Sequence, residues 1–375
     1  MNIAFNRPAL AGPEFTYISE ALAAGHISGA GQFTRRCEAW LQSNLGAPAA
    51  LLTHSCTAAL EMAAMLCDLG PGDEVIMPSY TFVSTANAVV LRGAVLVFVD
   101  IRPDTMNLDE TLVEAAITAR TRAIFVVHYA GIACEMDTIM DIATRHNLVV
   151  VEDAAQALMA RYRGRPLGAI GHLAAISFHE TKNIISGEGG ALIINDPRFA
   201  ARAEIIREKG TNRSGFLRGE VAKYTWMDIG SSYVPSEIIA AFLLAQLENA
   251  AAFHDERCAI WSRYHVGFAE LERQGQLTRP VVPQDCDGNG HLYYLLLNSL
   301  AARTALIAKL KAIGIAALFH YVPLHNAPAG QRFARTHGHL AVTEEMADRL
   351  VRLPMWYGLG DQQDTVIAAV RTCLA

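Results

Sequence analysis

Residues 148–156 read Leu-Val-Val-Val-Glu-Asp-Ala-Ala-Gln. Consecutive β-branched apolar residues predict a strand buried on both faces, because a strand with one wet face would alternate. The run ends at Glu152-Asp153 and so delivers a carboxylate to its carboxyl end. Similar runs precede it at Ala50–Thr53, Glu74–Met77 (stopped by Pro78), Val95–Val99 (ending at Asp100) and Arg122–His128. Helix-forming stretches lie between them, at Thr57–Cys67 and Asp137–His146, the latter followed by Asn147 as a suitable left-handed stop. Strands Leu173–Phe178 and Ala191–Ile194 follow. Continuous apolar strands separated by helices predict an α/β fold with a mostly parallel sheet covered on both faces. Ligands in such folds sit beyond the carboxyl ends of the strands.

The last third reads differently. A long helical stretch, Ser236 to about Leu271, leads out of the sheet layer. Strands Leu292–Leu297 and Ile315–Phe319, helix Ala302–Ala312 and amphipathic helices Thr343–Leu350 and Asp361–Leu374 predict a smaller α/β unit. The expected division is a large domain over 1–245 and a small one over 246–375, closely packed.

Composition narrows the function. The 375 residues are 52% hydrophobic and 18% charged, which excludes wholesale disorder. Lys and Arg total 31 against 37 Asp and Glu, a net charge of -6, so there is no basic footprint for nucleic acid. A membrane-spanning helix needs roughly 20 apolar residues. The candidates fall short: Ile238–Leu247 is flanked by Glu237 and Glu248, and Ala88–Val99 is broken by Arg92. The start, MNIAFNRPALAG, lacks the apolar core of a signal peptide. Seven scattered cysteines without a C-x-x-C spacing fit reduced thiols, so a cytoplasmic location is expected. His337 and His339 have no further ligands at metal spacing, and no metal is assigned.

Four post-strand features carry chemistry. Thr53-His54-Ser55-Cys56-Thr57-Ala58 joins a strand to a helix whose free N–H groups suit a phosphate. An ordinary Ser-capped helix would look the same. Asp153 either caps the next turn or faces a protonated heterocyclic nitrogen. Lys182 lies between an apolar strand and the loop Gly187-Glu188-Gly189-Gly190. A partly buried lysine loses its proton readily and becomes a nucleophile toward carbonyls. A phosphate cradle, an acid for a pyridinium nitrogen and a buried lysine together describe a pyridoxal phosphate site.

Asp153-x-x-Gln156, Ser177, Lys182 five residues later and the GEGG turn resemble the sugar aminotransferases of the DegT/StrS type. The resemblance extends over essentially the whole chain, including Gly72–Ile76, Pro78–Phe82, Val99–Ile101 and Ala116–Thr118. Further stretches are similar to a branch that aminates a dTDP-linked 4-keto-6-deoxy sugar: residues 31–41, 77–94, 128–140, 177–183, 204–214, 223–233 and 319–325.

The resemblance implies the pyridoxal-phosphate-dependent transferase fold of type I, the aspartate aminotransferase architecture. It implies L-glutamate as amino donor, dTDP-4-dehydro-6-deoxy-D-glucose as acceptor, and a homodimer with active sites at the interface. By position, Lys182 would hold the cofactor covalently and move a proton, and Asp153 would pair with its ring nitrogen. Gln156 would face the ring hydroxyl or phosphate, and Phe82 would stack on the ring. Backbone amides near Cys56, Thr57 and Ala58, with the Ser177 hydroxyl, would hold the phosphate. His179 either assists proton transfer or positions its loop. Lys209 and Arg213 would meet the nucleotide diphosphate, and His320 and Tyr321 would reach the sugar.

Where many members carry an Asn that reaches the partner's phosphate, this chain has Val234, leaving Ser231, Ser232 or Tyr233 for that contact. A sugar dehydratase of the same fold would carry His at the Lys182 position. A non-catalytic binding protein would not need the full set of Lys182, Asp153, Gln156 and Ser177. The G-x-G-x-x-T fragment at Gly29–Thr34 lacks a preceding strand, which argues against a Rossmann oxidoreductase.

Overall fold

The sheet at the centre of the molecule is set by the apolar runs. The computed structural model describes residues 2–374. Its main sheet has β1 (Ala49–Thr53), β2 (Glu74–Pro78), β3 (Val95–Val99), β4 (Thr121–Val127), β5 (Val149–Asp153), β6 (Leu173–Ser177), β7 (Gly190–Ile194) and β8 (Ala334–Thr336). Their order is β1-β7-β6-β5-β4-β2-β3-β8. All neighbouring pairs are parallel except those of β7, which runs antiparallel to β1 and β6. Alternation along each strand feeds two cores, as the period of two requires. In β4, Ile124 and Val126 join helices 32–45, 136–145 and 237–248 on one face. Ala123 and Phe125 join helix 56–66 on the other.

A third core lies outside the sheet, built from Ile260, Tyr264, Tyr293, Leu295, Leu306, Val351 and Val366. It surrounds a small antiparallel sheet of Leu277–Thr278, Tyr294–Leu297 and Leu350–Arg352. Two contacts tie this unit to other parts of the chain. Ile3, from the beginning of the chain, bridges to Ile315. Asp100, at the end of β3, accepts from the N–H groups of Val342 and Thr343 (3.0 and 2.8 Å) and so caps helix 341–349.

Two expectations from the sequence change, and one strand was not expected. The stretch from Ser236 to Leu271 is three helices, broken at Asn249 (φ -107, ψ 11) and Phe268 (φ -107, ψ 5). Asn249 turns its amide back onto Ala245 O at 2.9 Å, a local bond that competes with helix continuation. Residues 315–319 form isolated bridges, through Ile315 and Leu318, and no strand. Strand β8, Ala-Arg-Thr, carries no apolar signal, yet it adds to β3 in parallel.

Glu74 explains the docking of β8. It is fully buried at the start of β2 and accepts from Arg335 (2.7 Å), Thr118 (2.8 Å) and Arg120 (2.6 Å). These donors, Arg335 foremost, hold its pKa at about 2, below its ordinary 4.5. A carboxylate depressed on folding stabilises above its unfolded pKa and loses that contribution as pH falls through its folded value. The stability difference between wild type and Glu74→Gln is therefore expected to shrink as pH falls from about 4.5 to about 2. Chemical denaturation at a series of pH values measures it, and a pH-independent difference would contradict the role given to Glu74.

Candidate active site

The site lies where β1, β7 and β6 come into register. Thr53, Gly190 and Ser177 pair across the three strands in one row. Helix 56–66 starts immediately after β1, with Ser55 as its N-cap, its Oγ accepting from Ala58 N at 3.1 Å. Among the described residues, the N–H groups of Cys56 and Thr57 find no acceptor in the chain. A Cβ on Gly190 would stand 2.4 Å from Cys56 N, so glycine lets β7 approach this helix end. The result is a pair of free N–H groups beside the Ser177 and Thr57 hydroxyls, at the positive end of a helix. Ala58 departs from expectation: its N–H is spent on the cap and it does not line the cavity.

Asp153 sits at the end of β5 and is buried. Its Oδ2 accepts from Thr85 Oγ1 at 2.6 Å and its Oδ1 from Ala155 N at 3.1 Å. Because Thr85 donates to Asp153, it must accept from Thr81, 2.8 Å away. Burial pushes the Asp153 carboxyl up, opposed by Thr85, Ala155 and the charge of Lys182. Gln156 is fixed at both ends of its amide: Oε1 accepts from Ala130 N (2.7 Å) and Nε2 donates to Tyr321 OH (2.9 Å). Tyr321 stacks on His320 at 3.7 Å, and His320 Nδ1 lies 2.8 Å from Tyr129 OH. Burial, with Arg352 and Lys182 nearby, holds His320 well below its ordinary pKa, so it is neutral.

Lys182 lies in the loop from β6 to β7, in a turn closed by its N–H to His179 O at 2.9 Å. Burial lowers its pKa, which favours the free amine. His179 Nδ1 accepts from Thr181 N at 3.2 Å, so its other nitrogen carries the proton and faces Glu188, 3.7 Å away. The ring is thus engaged by its own loop. Asn183 and His291 bond side chain to side chain at 3.0 Å, which joins the Lys182 loop to the small unit.

One cavity of about 640 Å³ gathers Cys56, Thr57, Phe82, Asp153, Gln156, Ser177, His179, Lys182, His320 and Tyr321. Lys209 and Arg213 lie outside it: Lys209 N donates to Ser231 O, and Arg213 is 3.6 Å from Glu208. Of the candidates around Val234, Tyr233 is buried and donates to Glu61 at 3.2 Å, while Ser231 and Ser232 are exposed. Reading the sequence missed Thr85, whose i, i+4 spacing from Thr81 was the available signal, and His291, Arg257 and Arg352, which line the cavity from the small unit.

A half-buried amine, a buried acid and a pair of free N–H groups in one cavity fit pyridoxal phosphate. With the mixed sheet, they define a pyridoxal-phosphate-dependent transferase of fold type I. The chain belongs to the DegT/DnrJ/EryC1/StrS aminotransferase family, which it matches over residues 9–371. GDP-perosamine synthase of Caulobacter vibrioides is 35% identical, covering 97% of this chain and 96% of the relative. The putative sugar aminotransferase Spr1654 from Streptococcus pneumoniae, in its PMP form, superposes with a TM-score of 0.92 at 27% identity, covering 100% of this chain and 99% of that one. S. venezuelae DesV, solved with a ketimine intermediate, gives 0.89 at 33% identity over 100% and 98%. The chain is therefore a sugar aminotransferase that uses pyridoxal phosphate.

Thr85→Val keeps the shape of the side chain and removes the donor to Asp153. A hydrogen bond to a charged group contributes about 1.5–3 kcal/mol, so turnover is expected to fall about 10- to 100-fold with the fold retained. Steady-state kinetics beside circular dichroism checks this, and wild-type turnover would show that Asp153 does not depend on Thr85.

Proposed function

We propose that the chain is a dTDP-4-amino-4,6-dideoxygalactose transaminase of the enterobacterial common antigen type. In this reading it moves the amino group of L-glutamate to C4 of dTDP-4-dehydro-6-deoxy-D-glucose. The products are 2-oxoglutarate and dTDP-4-amino-4,6-dideoxy-D-galactose. The observation that carries the reading is Lys182 and Asp153 in one buried cavity, with the stretches similar to the C4-aminating branch supporting the choice of sugar.

The bound cofactor supplies an electron sink for the carbon that loses or gains a proton. The roles proposed for the chain follow from its chemistry. Lys182, half-buried and disposed to the free amine, would hold the cofactor and move the proton on its Nζ. Asp153, held by Thr85, would pair with the ring nitrogen. Gln156, its amide fixed by Ala130 and Tyr321, would face the ring's polar edge, and Phe82 would cover the ring face. The Cys56 and Thr57 N–H groups with Ser177 would hold the phosphate. His179 positions the Lys182 loop, since Thr181 already occupies its Nδ1. His320 and Tyr321 present a neutral, polar wall to the sugar.

A homodimer accompanies this reading. Leu217, Tyr224, Trp226, Met227 and Ile229 are exposed, with Trp226 at 79%, on the segment just before Ser231 and Ser232. An apolar patch of this kind marks an interaction surface. A second copy seated there would bring Lys209, Arg213 and the two serines toward the neighbouring cavity. Trp226→Glu is expected to shift the protein toward monomer in sedimentation and to lower activity. A monomer with full activity would contradict the shared site.

GDP-perosamine synthase among the relatives favours, as the second reading, another nucleotide-linked keto-sugar. Incubation with glutamate and a panel of nucleotide keto-sugars, with the product determined by NMR, separates the two. The dTDP 4-amino-4,6-dideoxy-galacto product is expected, and Lys182→Ala should abolish its formation. A different amino sugar would sustain the second reading, and a deoxygenated keto-sugar would overturn both.

A further inference from the structure

His291 lines the cavity from the small unit, and its protonation can be read from its neighbours. Asn183, the residue after Lys182, gives its amide nitrogen to Asn289 O at 2.9 Å. A backbone carbonyl only accepts, so the opposite end of that amide is the oxygen. That oxygen lies 3.0 Å from His291 Nδ1, which must therefore carry the proton. Burial, with Lys182 and Arg257 nearby, holds the ring well below its ordinary pKa, so it is neutral. Nε2 is then a bare acceptor. It makes no hydrogen bond among the described residues, and it remains open to the cavity.

The backbone that carries this ring is fixed at both of its polar groups. His291 N donates to Asn289 Oδ1 at 3.0 Å, and His291 O accepts from Arg257 Nη2 at 2.6 Å. Asn289 is buried and gives its own amide to Gln156 O and Leu158 O at 2.8 and 2.9 Å. Arg257 also gives Nε to Gly290 O at 3.1 Å. A side chain held this firmly with one unused acceptor is suited to recognition, because the acceptor stays unpaired until a donor arrives.

We propose that His291 Nε2 accepts the hydrogen bond of the acceptor sugar's C3 hydroxyl, beside the carbon that receives the amine. The proposal rests on the aminotransferase reading of the cavity and on the 4-keto-6-deoxy sugar proposed for it. A bare lone pair repels anions, which excludes the carboxylates of the amino donor, the diphosphate and the cofactor's phosphate. The ketone oxygen is an acceptor as well. Near the reacting carbon, the groups of the acceptor that can donate are the hydroxyls on C2 and C3. Position selects between them. His291 bonds to the residue that directly follows Lys182, and Lys182 has to reach C4. C3 is bonded to C4, whereas C2 stands one carbon further away. The contact makes the enzyme select a 4-keto sugar that still carries its C3 hydroxyl, since a sugar without it leaves Nε2 unpaired.

The test measures the two half-reactions separately on loaded enzyme, for wild type, His291→Asn and His291→Gln. The asparagine amide can still donate to Asn183 Oδ1 but ends short of Nε2, whereas the glutamine amide reaches that position with an acceptor oxygen. The donor half is followed by the cofactor's absorbance change with L-glutamate. The acceptor half uses amine-form enzyme with dTDP-4-dehydro-6-deoxy-D-glucose or with its 3-deoxy analogue. Wild type is expected to prefer the hydroxylated sugar by about 10-fold, the value of one neutral hydrogen bond. His291→Asn should lose that preference by slowing on the hydroxylated sugar alone, with the glutamate half changing far less. His291→Gln should recover part of it. A preference kept in His291→Asn would overturn the proposal, and so would a wild type without one. An equal loss in both halves would assign Nε2 to Lys182 Nζ and overturn it too. A wild type that does not react with glutamate, or reacts with neither sugar, would instead sink the reading of the cavity beneath it.

Discussion

The site depends on one reversal of strand direction. β7 runs antiparallel between β6 and β1, so β6 and β7 form a hairpin whose 178–189 loop stays at the carboxyl edge of the parallel strands. A parallel β7 would have needed a crossover to the opposite edge and would have carried the loop away. The hairpin holds Lys182 at the edge where β5 delivers Asp153. It also brings Gly190 into line with Thr53 and Ser177, against the start of helix 56–66. The absent Cβ of Gly190 permits that contact, so the pair of free N–H groups and the lysine share one structural cause.

Electrostatics follows from the same arrangement. The chain carries a net charge of -6, yet its reaction requires an anionic cofactor and an anionic sugar nucleotide. Positive character is concentrated at the cavity: Arg257, Arg352 and the free N–H groups of the helix. Burial keeps the neighbouring imidazoles of His291 and His320 uncharged, so they add polarity to the wall without adding repulsion. Arg257 stays protonated at neutral pH although burial pulls it down to about 10.

The parts legible in the sequence were those whose local pattern and tertiary role coincide. Asp153 and Lys182 follow apolar strands, and the sheet places strand ends together, so their meeting in one cavity could be read from position. β8 was illegible because Ala-Arg-Thr gains its place from the Arg335–Glu74 contact across 261 residues. Residues 315–319 look like a strand, but their backbone forms only two isolated bridges; Ile315 and Ala317 pack into the core of the small unit while Leu318 and Phe319 stay exposed. Arg257 and Arg352 are two among many arginines in the sequence, and only the fold shows that no carboxylate answers them. Lys209 and Arg213 were the more obvious cations, yet a single chain keeps them outside the cavity.

The lysine assignment can be read directly, because the chain has only five lysines: Lys182, Lys209, Lys223, Lys309 and Lys311. Borohydride reduction of the loaded enzyme followed by peptide mass mapping fixes the cofactor on whichever lysine holds it. The pyridoxyl group is expected on Lys182 alone. Its recovery on any of the other four, or a loaded enzyme in which Lys182 stays unmodified, would contradict the site described above.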